Sequence, residues 1–345
     1  MCNIAGYVGN KPAAPILIDM MRREEGWDAG CYTGIVTIHE GRMDFVKMTG
    51  DLNHLLENSH AADLQGCIGL LHSRTPSGGD DEWAHPFIGH HEGKSYTAYV
   101  ANGYQGFFSD RLNEANKIAS QLENSGYSFS SRTVQQIGQY PTLSNGDSVH
   151  MSDVMAQLIT HKVIQGNDVS KAMSLAFCEM PAEIVGLLIS LTEPECIAWS
   201  RINMPMFVAF APHGAYLAST PQAFPNDAGE PILLPACSSG NVYCDHWNVK
   251  PYPIPPAKVA SITPRVWHEA YTVIKSTLVN GPKTVPELVR IVKPLFGPAD
   301  CSPNAAVVYS VLYELQKQNK LAVEISLVPG IRSDLSAPLF RARLL

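Results

Sequence analysis

The chain has 345 residues, 45% of them hydrophobic, and a formal net charge of −7. That length suits about two domains with sizeable cores, and the acidic balance argues against a general attraction to nucleic acid or to a membrane surface. No apolar run approaches the ~18 residues of a membrane helix and no signal peptide precedes Cys2, which points to a cytoplasmic protein with no membrane contact.

After an opening strand that ends near Gly9, Ile16, Leu17, Met20 and Met21 recur at three- and four-residue spacing. They predict a helix from Ala14 to Arg23, with Pro15 tolerated in its first turn. Strands are expected at 33–39, 43–48, 68–72 and 95–101. A second helix, 110–123, gathers Leu112, Ala115, Ile118, Ala119 and Leu122 on one face. Helices at 152–164 and 169–179 follow, and then strands at 184–192, 196–200, 206–211 and 215–219. Strands, a helical block and strands again predict an α+β sandwich with helices outside two packed sheets.

Residues 226–261 are rich in Pro, Gly, Ser and Asn and end Lys250-Pro251-Tyr252-Pro253-Ile254-Pro255-Pro256. That density of Pro reads as a semi-rigid linker between a domain at 1–225 and another at 262–345. The last part predicts helices at 264–279, 284–296 and 302–319 and strands at 321–327 and 339–344. Three helices and a hairpin resemble a winged helix. Residues 262–345 hold ten Lys and Arg against six Asp and Glu, a net of +4, while the rest of the chain stands at −11. Yet the only basic residues the third helix carries are Lys317 and Lys320 at its C-terminal end, whereas bases are read from the N-terminal part of a recognition helix. Nucleic-acid binding is therefore not favoured over protein contacts.

The residues that carry chemistry begin at Cys2. Removal of Met1 leaves Cys2 with a thiol and a free α-amine. The thiolate is the nucleophile, and an α-amine with a pKa near 7.7–8.0 can serve as its base. The other seven cysteines, at 31, 67, 178, 196, 237, 244 and 301, form no Cys-x-x-Cys pair. That scatter suits neither a disulfide framework nor a zinc site, so no metal and no cofactor is expected.

Four segments then occur in a telling order: MCNIAGYVG at the start, HSRTPSGGDDEWAHP at 72–86, AYVANGY at 98–104 and FVAFAPHGAYLASTPQAF at 207–224. Over roughly residues 2–225 the chain resembles the class II glutamine amidotransferase domain, an N-terminal-nucleophile hydrolase. The resemblance is nearest to the glutaminase half of glucosamine-6-phosphate synthase. It implies a four-layer αββα sandwich and hydrolysis of glutamine to glutamate and ammonia. Cys2 matches the nucleophile, and Asn102 and Gly103 match the oxyanion-hole pair. Arg74 matches the residue that holds the substrate carboxylate, and a guanidinium fork suits that group. Ser77 and the Ala84-His85-Pro86 triplet also fall at family positions, with His85 read as structural. The resemblance further implies a glutamine or related amide substrate, a synthase partner chain to take the ammonia, and a homo-oligomer.

Three positions depart from the family pattern. Thr75 replaces the aromatic residue after the arginine, and Glu25 replaces an arginine said to organise the nucleophile's loop. Met151 stands where an aspartate faces the substrate ammonium, leaving Asp153 or Asp147 to compensate. The readings left open are glutamine hydrolysis, hydrolysis of another amide by the same fold, and a non-catalytic ligand-sensing regulator.

Overall fold

The computed structural model describes residues 2–345, so Met1, whose removal the N-terminal chemistry requires, lies outside the described residues. Two antiparallel sheets stack face to face. The first has seven strands in the order Ile232–Leu233, Phe207–Ala211, Gly214–Ala218, Asn3–Gly9, Ile68–Arg74, Tyr32–His39 and Arg42–Thr49. The second has six, in the order Lys250–Pro251, Ser238–Val242, Ile197–Arg201, Glu183–Ser190, Lys94–Tyr104 and Phe87–His91. Their facing sides interlock through Ile4, Val36, Leu70, Val100, Leu187 and Trp199, all inaccessible to solvent. Alternate residues of each strand supply this layer, as the two-residue period of a strand requires.

Helices cover both outer faces. Helix Ala13–Glu24 lies on the first sheet, and helices Leu112–Asn124, Met151–Ile164 and Val169–Glu179 lie on the second. The expected αββα layering is thus the observed one. It places the opening strand centrally in the first sheet, paired on both sides, with Asn3 opposite Ser73 and Ala5 opposite Ala218. The N-terminus is therefore held by sheet ladders to within a residue of the nucleophile.

Residues 226–261 are not a linker in the structure. Ile232–Leu233 extends the first sheet, and the fully buried Ser238–Val242 pairs with Ile197–Arg201 in the second. The sequence Ser-Ser-Gly-Asn-Val has poor strand propensity. Its place is set by tertiary contact instead: a side chain at Gly240 would collide with the carbonyl oxygen of Asn248. The strand Phe87–His91 and the helix Leu52–Asn58, neither apparent in the sequence pattern, complete the sandwich.

The C-terminal segment forms helices Pro264–Val279, Val285–Val292 and Asn304–Lys317, then a hairpin of Leu321–Pro329 and Ser336–Leu344. Thr284 and Glu287 form the capping box that starts the second of these helices. These elements share one continuous core with helix Ala13–Glu24 and the first sheet. Phe340 meets Trp27 edge-on at 5.4 Å between ring centroids. The third helix buries Ala305 through Tyr309 in one run, and the side chain of Gln222 donates to the carbonyl of Tyr309 at 3.3 Å. Its Lys317 is paired with Glu230 at 2.6 Å. The N-terminal half of this helix is therefore packed against the sandwich. Among the described residues, no helix is long and apolar enough to cross a membrane.

Candidate active site

Cys2 stands where the opening strand meets the end of strand Lys94–Tyr104 of the other sheet. It is 9% exposed, and its backbone nitrogen donates to the side-chain oxygen of Asn102 at 3.1 Å. The thiol sulfur lies 3.8 Å from the hydroxyl of Thr75. Asn102 is 2% exposed, and its side-chain nitrogen, Nδ2, is buried without any partner. A buried donor left unpaired costs about 1–3 kcal/mol. A carbonyl oxygen brought up to Cys2 could accept from it. Gly103 follows at φ +141°, where a β-carbon would collide with the carbonyl oxygen of Glu183 and the α-carbon of Ile184, so no other residue fits there without strain.

The backbone that carries Asn102 is fixed from behind by uncharged histidines. His72 Nε2–H donates to the carbonyl of Ala101 at 2.8 Å, and burial pushes the His72 imidazole down to about 3. His85 packs against His72 in a tilted pair with 3.9 Å between centroids, and His150 packs nearby; burial holds both His85 and His150 well below the ordinary histidine range. His85 is thus a neutral packing residue on the cavity wall, as the sequence implied.

A cavity of about 470 Å³ opens in front of Cys2, between the loop at 75–86, the segment 104–109 and the start of helix Met151–Ile164. Cys2, Asn102, Gly103, Arg74 and Ser77 all line it, so five of the six residues singled out from the sequence converge there. Arg74 is 1% exposed. It donates to the carbonyls of Trp83 and Gly78 and, at 3.4 Å, to that of Thr75, while its guanidinium lies 4.0 Å from the centre of the Tyr32 ring. Those bonds wrap the 75–86 loop around the cation and leave two of the five N–H groups of a guanidinium for a ligand.

Asp153 is the sixth, and the structure corrects its role. It is fully buried beneath the cavity wall, where one carboxylate oxygen accepts from the backbone and hydroxyl of Ser131 at 2.9 and 2.8 Å. The other accepts from Gln157 at 3.1 Å. The carboxylate staples the 131 loop to its helix and does not line the cavity. Asp147 does not line it either; it pairs with Arg132 at 2.6 Å on the surface. Met151, Met155, Met180, Phe108 and Ile184 line the wall instead, and none of the lining residues is an acid.

Glu25, the acid found in place of the family arginine, also has a definite position. It is 4% exposed and accepts from Ser73 Oγ at 2.7 Å, Thr33 Oγ1 at 3.2 Å and the Leu52 backbone at 2.9 Å. Burial raises its carboxyl to about 7. Its partner Ser73 lies opposite Asn3 in the sheet, so Glu25 braces the strand next to the opening one. Sequence reading noticed the departure there but had no signal for this network, because its partners come from three separate segments.

The two-sheet sandwich, with a cysteine at its N-terminal edge and an Asn-Gly pair from the facing sheet, is the N-terminal-nucleophile amidotransferase fold. Glutamine phosphoribosylpyrophosphate amidotransferase from Bacillus subtilis superposes with a TM-score of 0.58 at 15% identity, over 82% of this chain and 60% of that one. No family model matches the chain. Among curated proteins it is similar to the isomerising glutamine–fructose-6-phosphate aminotransferase of Thermosynechococcus vestitus, 26% identical over 230 residues, 65% of this chain and 32% of that protein. The corresponding protein of Caldanaerobacter subterraneus is 31% identical over 141 residues, 40% of this chain and 21% of that protein. The chain thus spans at most about a third of these relatives' length.

Proposed function

We propose that this chain is a Cys2-dependent amidohydrolase that releases ammonia from glutamine. The observation that carries the reading is the buried, unpartnered Asn102 Nδ2 beside the nucleophile. With Met1 removed, the Cys2 α-amine donates to Asn102 Oδ1 and so stays next to its own thiol, from which it takes a proton. The thiolate attacks the amide carbon, and the developing oxyanion accepts from Asn102 Nδ2 and the Gly103 N–H. Ammonia leaves, and water hydrolyses the thioester. Arg74 receives the substrate carboxylate at the far end of the cavity, with Ser77 beside it. Glutamine appears in the names of the similar proteins, which supports it as the donor; the reading adds a synthase partner chain that takes the ammonia, in a cytoplasmic homo-oligomer.

A second reading is favoured by the acid-free wall. An ammonium in a pocket without a counter-charge is costly, and Met151 offers a thioether where a carboxylate would serve. An amide with the carboxylate of glutamine but no α-amine would meet no such cost. Both readings are tested by ammonia release from glutamine and from its desamino analogue glutaramate, with Cys2→Ala as control. Higher kcat/KM for glutamine supports the first reading and contradicts the second; the reverse order selects the other amide.

A further inference from the structure

A second cavity, of about 560 Å³, opens on the other side of the nucleophile. Cys2, Thr75, Asn102, Gly103 and Tyr104 line both cavities, so the two adjoin at the nucleophile. Its far wall belongs to the C-terminal segment and includes Arg290, Lys293, Ser302 and Asn304. That volume is ample for a small second substrate. The deep burial of helix Asn304–Lys317 against the sandwich holds this wall in place.

The charges are distributed with a direction. Glu183 lies opposite Tyr104 in the sheet ladder, and its side chain packs against Gly106, just past the strand that carries Asn102 and Gly103. Its neighbour is the Asn203 side-chain nitrogen, at 3.5 Å. Arg290 and Lys293 are exposed on the opposite wall and make no hydrogen bond or ion pair among the described residues. Asp300, also on that wall, is committed to the backbone N–H of Lys258 at 2.6 Å. Glu183 on the wall that carries the nucleophile, and Arg290 and Lys293 on the facing wall, match a zwitterion: an ammonium at the Glu183 end and a carboxylate or phosphate at the other.

We propose that this cavity binds a small anionic primary amine, which takes the acyl group from Cys2 in place of water. The inference rests on the Cys2 amidohydrolase reading. In the first step the Cys2 sulfur bonds to the amide carbon, the C–N bond breaks and ammonia leaves with the thiol proton. In the second the acceptor nitrogen bonds to the thioester carbon and the C–S bond breaks. The bound ammonium first gives one proton to the Glu183 carboxylate, which passes it to solvent, where the released ammonia takes it up; the nitrogen's second proton, shed as the new amide forms, goes to the sulfur. The sum is exchange of NH₃ for the acceptor amine, with no redox change. The C-terminal segment is then an acceptor-binding domain, and the acyl group need not end on water.

The test pairs each anionic amine with its uncharged-tail counterpart: β-alanine with propylamine, and O-phosphoethanolamine with ethanolamine. Met1-free protein is given glutamine or glutaramate, and new amide is measured by mass spectrometry against total ammonia. The ratio should be at least about tenfold higher for the anionic member of a pair. In the double variant Arg290→Gln, Lys293→Gln that advantage should vanish. Calorimetry on Cys2→Ala should detect the anionic amine, and the phosphate and carboxylate arms tell which anion is preferred. Equal ratios within both pairs, or no calorimetric binding, would overturn the proposal. Binding to Cys2→Ala with no Cys2-dependent ammonia from the wild type would instead refute the amidohydrolase reading, and the transfer step with it.

Discussion

Replacing Asn102 by Ala separates the two things its side chain does. Oδ1 accepts from the Cys2 nitrogen at 3.1 Å, while Nδ2 is buried and bonded to nothing. In the resting protein the substitution loses one hydrogen bond, about 1 kcal/mol, and removes an unpaired donor whose burial costs about 1–3 kcal/mol. Those terms oppose each other, so stability should change by no more than about 1–2 kcal/mol in either direction. In the transition state only the loss is felt. Removing one oxyanion donor costs roughly a hundred- to a thousand-fold in kcat, or about 2.7–4 kcal/mol. The assay is ammonia release under saturating amide, alongside urea denaturation of the same preparation. A large fall in kcat with a small change in midpoint is the expected pair of results. A variant within about threefold of wild-type kcat would refute the assignment of Asn102 to the oxyanion, whatever its stability.

Three other outcomes follow from the geometry. Glu25 has its carboxyl raised from 4.5 to about 7 by burial, so the folded state holds a proton that the unfolded state has lost between those values. Its contribution is fully present below about pH 4.5 and is lost as pH rises through 7, a change on the order of 3 kcal/mol. Urea unfolding at pH 5 and pH 7.5 should show a steeper decline for wild type than for Glu25→Gln, and parallel slopes would contradict the burial argument. Gly103→Ala forces a side chain at φ +141° against Glu183 and Ile184, and should cost roughly 1–3 kcal/mol of stability with a matching loss of activity. Truncation before Pro264 strips Phe340 from Trp27 and opens the shared core, so the shortened chain should bind a hydrophobic dye or aggregate; a monomeric, dye-negative product would show that the C-terminal segment is separable.

Much of the sandwich was legible because its elements carry their period locally. Helix Ala13–Glu24 and the strands around Ile35, Leu70 and Val100 bury the residues their spacing selects. What escaped was placed by contacts made at a distance. Phe87–His91 is short and interrupted by a glycine, yet Gly89 is required because Thr160 occupies the space a side chain would fill. Ser238–Val242 reads as linker, and only its partner strand makes it one. In the site, Cys2, Asn102, Gly103, Arg74 and Ser77 were marked by motif and do converge. Asp153 was chosen for its charge and position in sequence, but its side chain points to Ser131 and Gln157. The second cavity could not have been inferred, since its walls join residues as far apart as Cys2, Tyr104, Glu183 and Asn304.

The central claim is that Cys2, freed of Met1, is the nucleophile of an amidase, and intact-mass spectrometry during turnover tests it most directly. Met1-free protein mixed with excess glutamine or glutaramate should release ammonia and show a transient adduct of the acyl mass on the N-terminal peptide. Cys2→Ala should show neither. Ammonia release that persists in Cys2→Ala, or an acyl adduct on any other residue, would contradict the account.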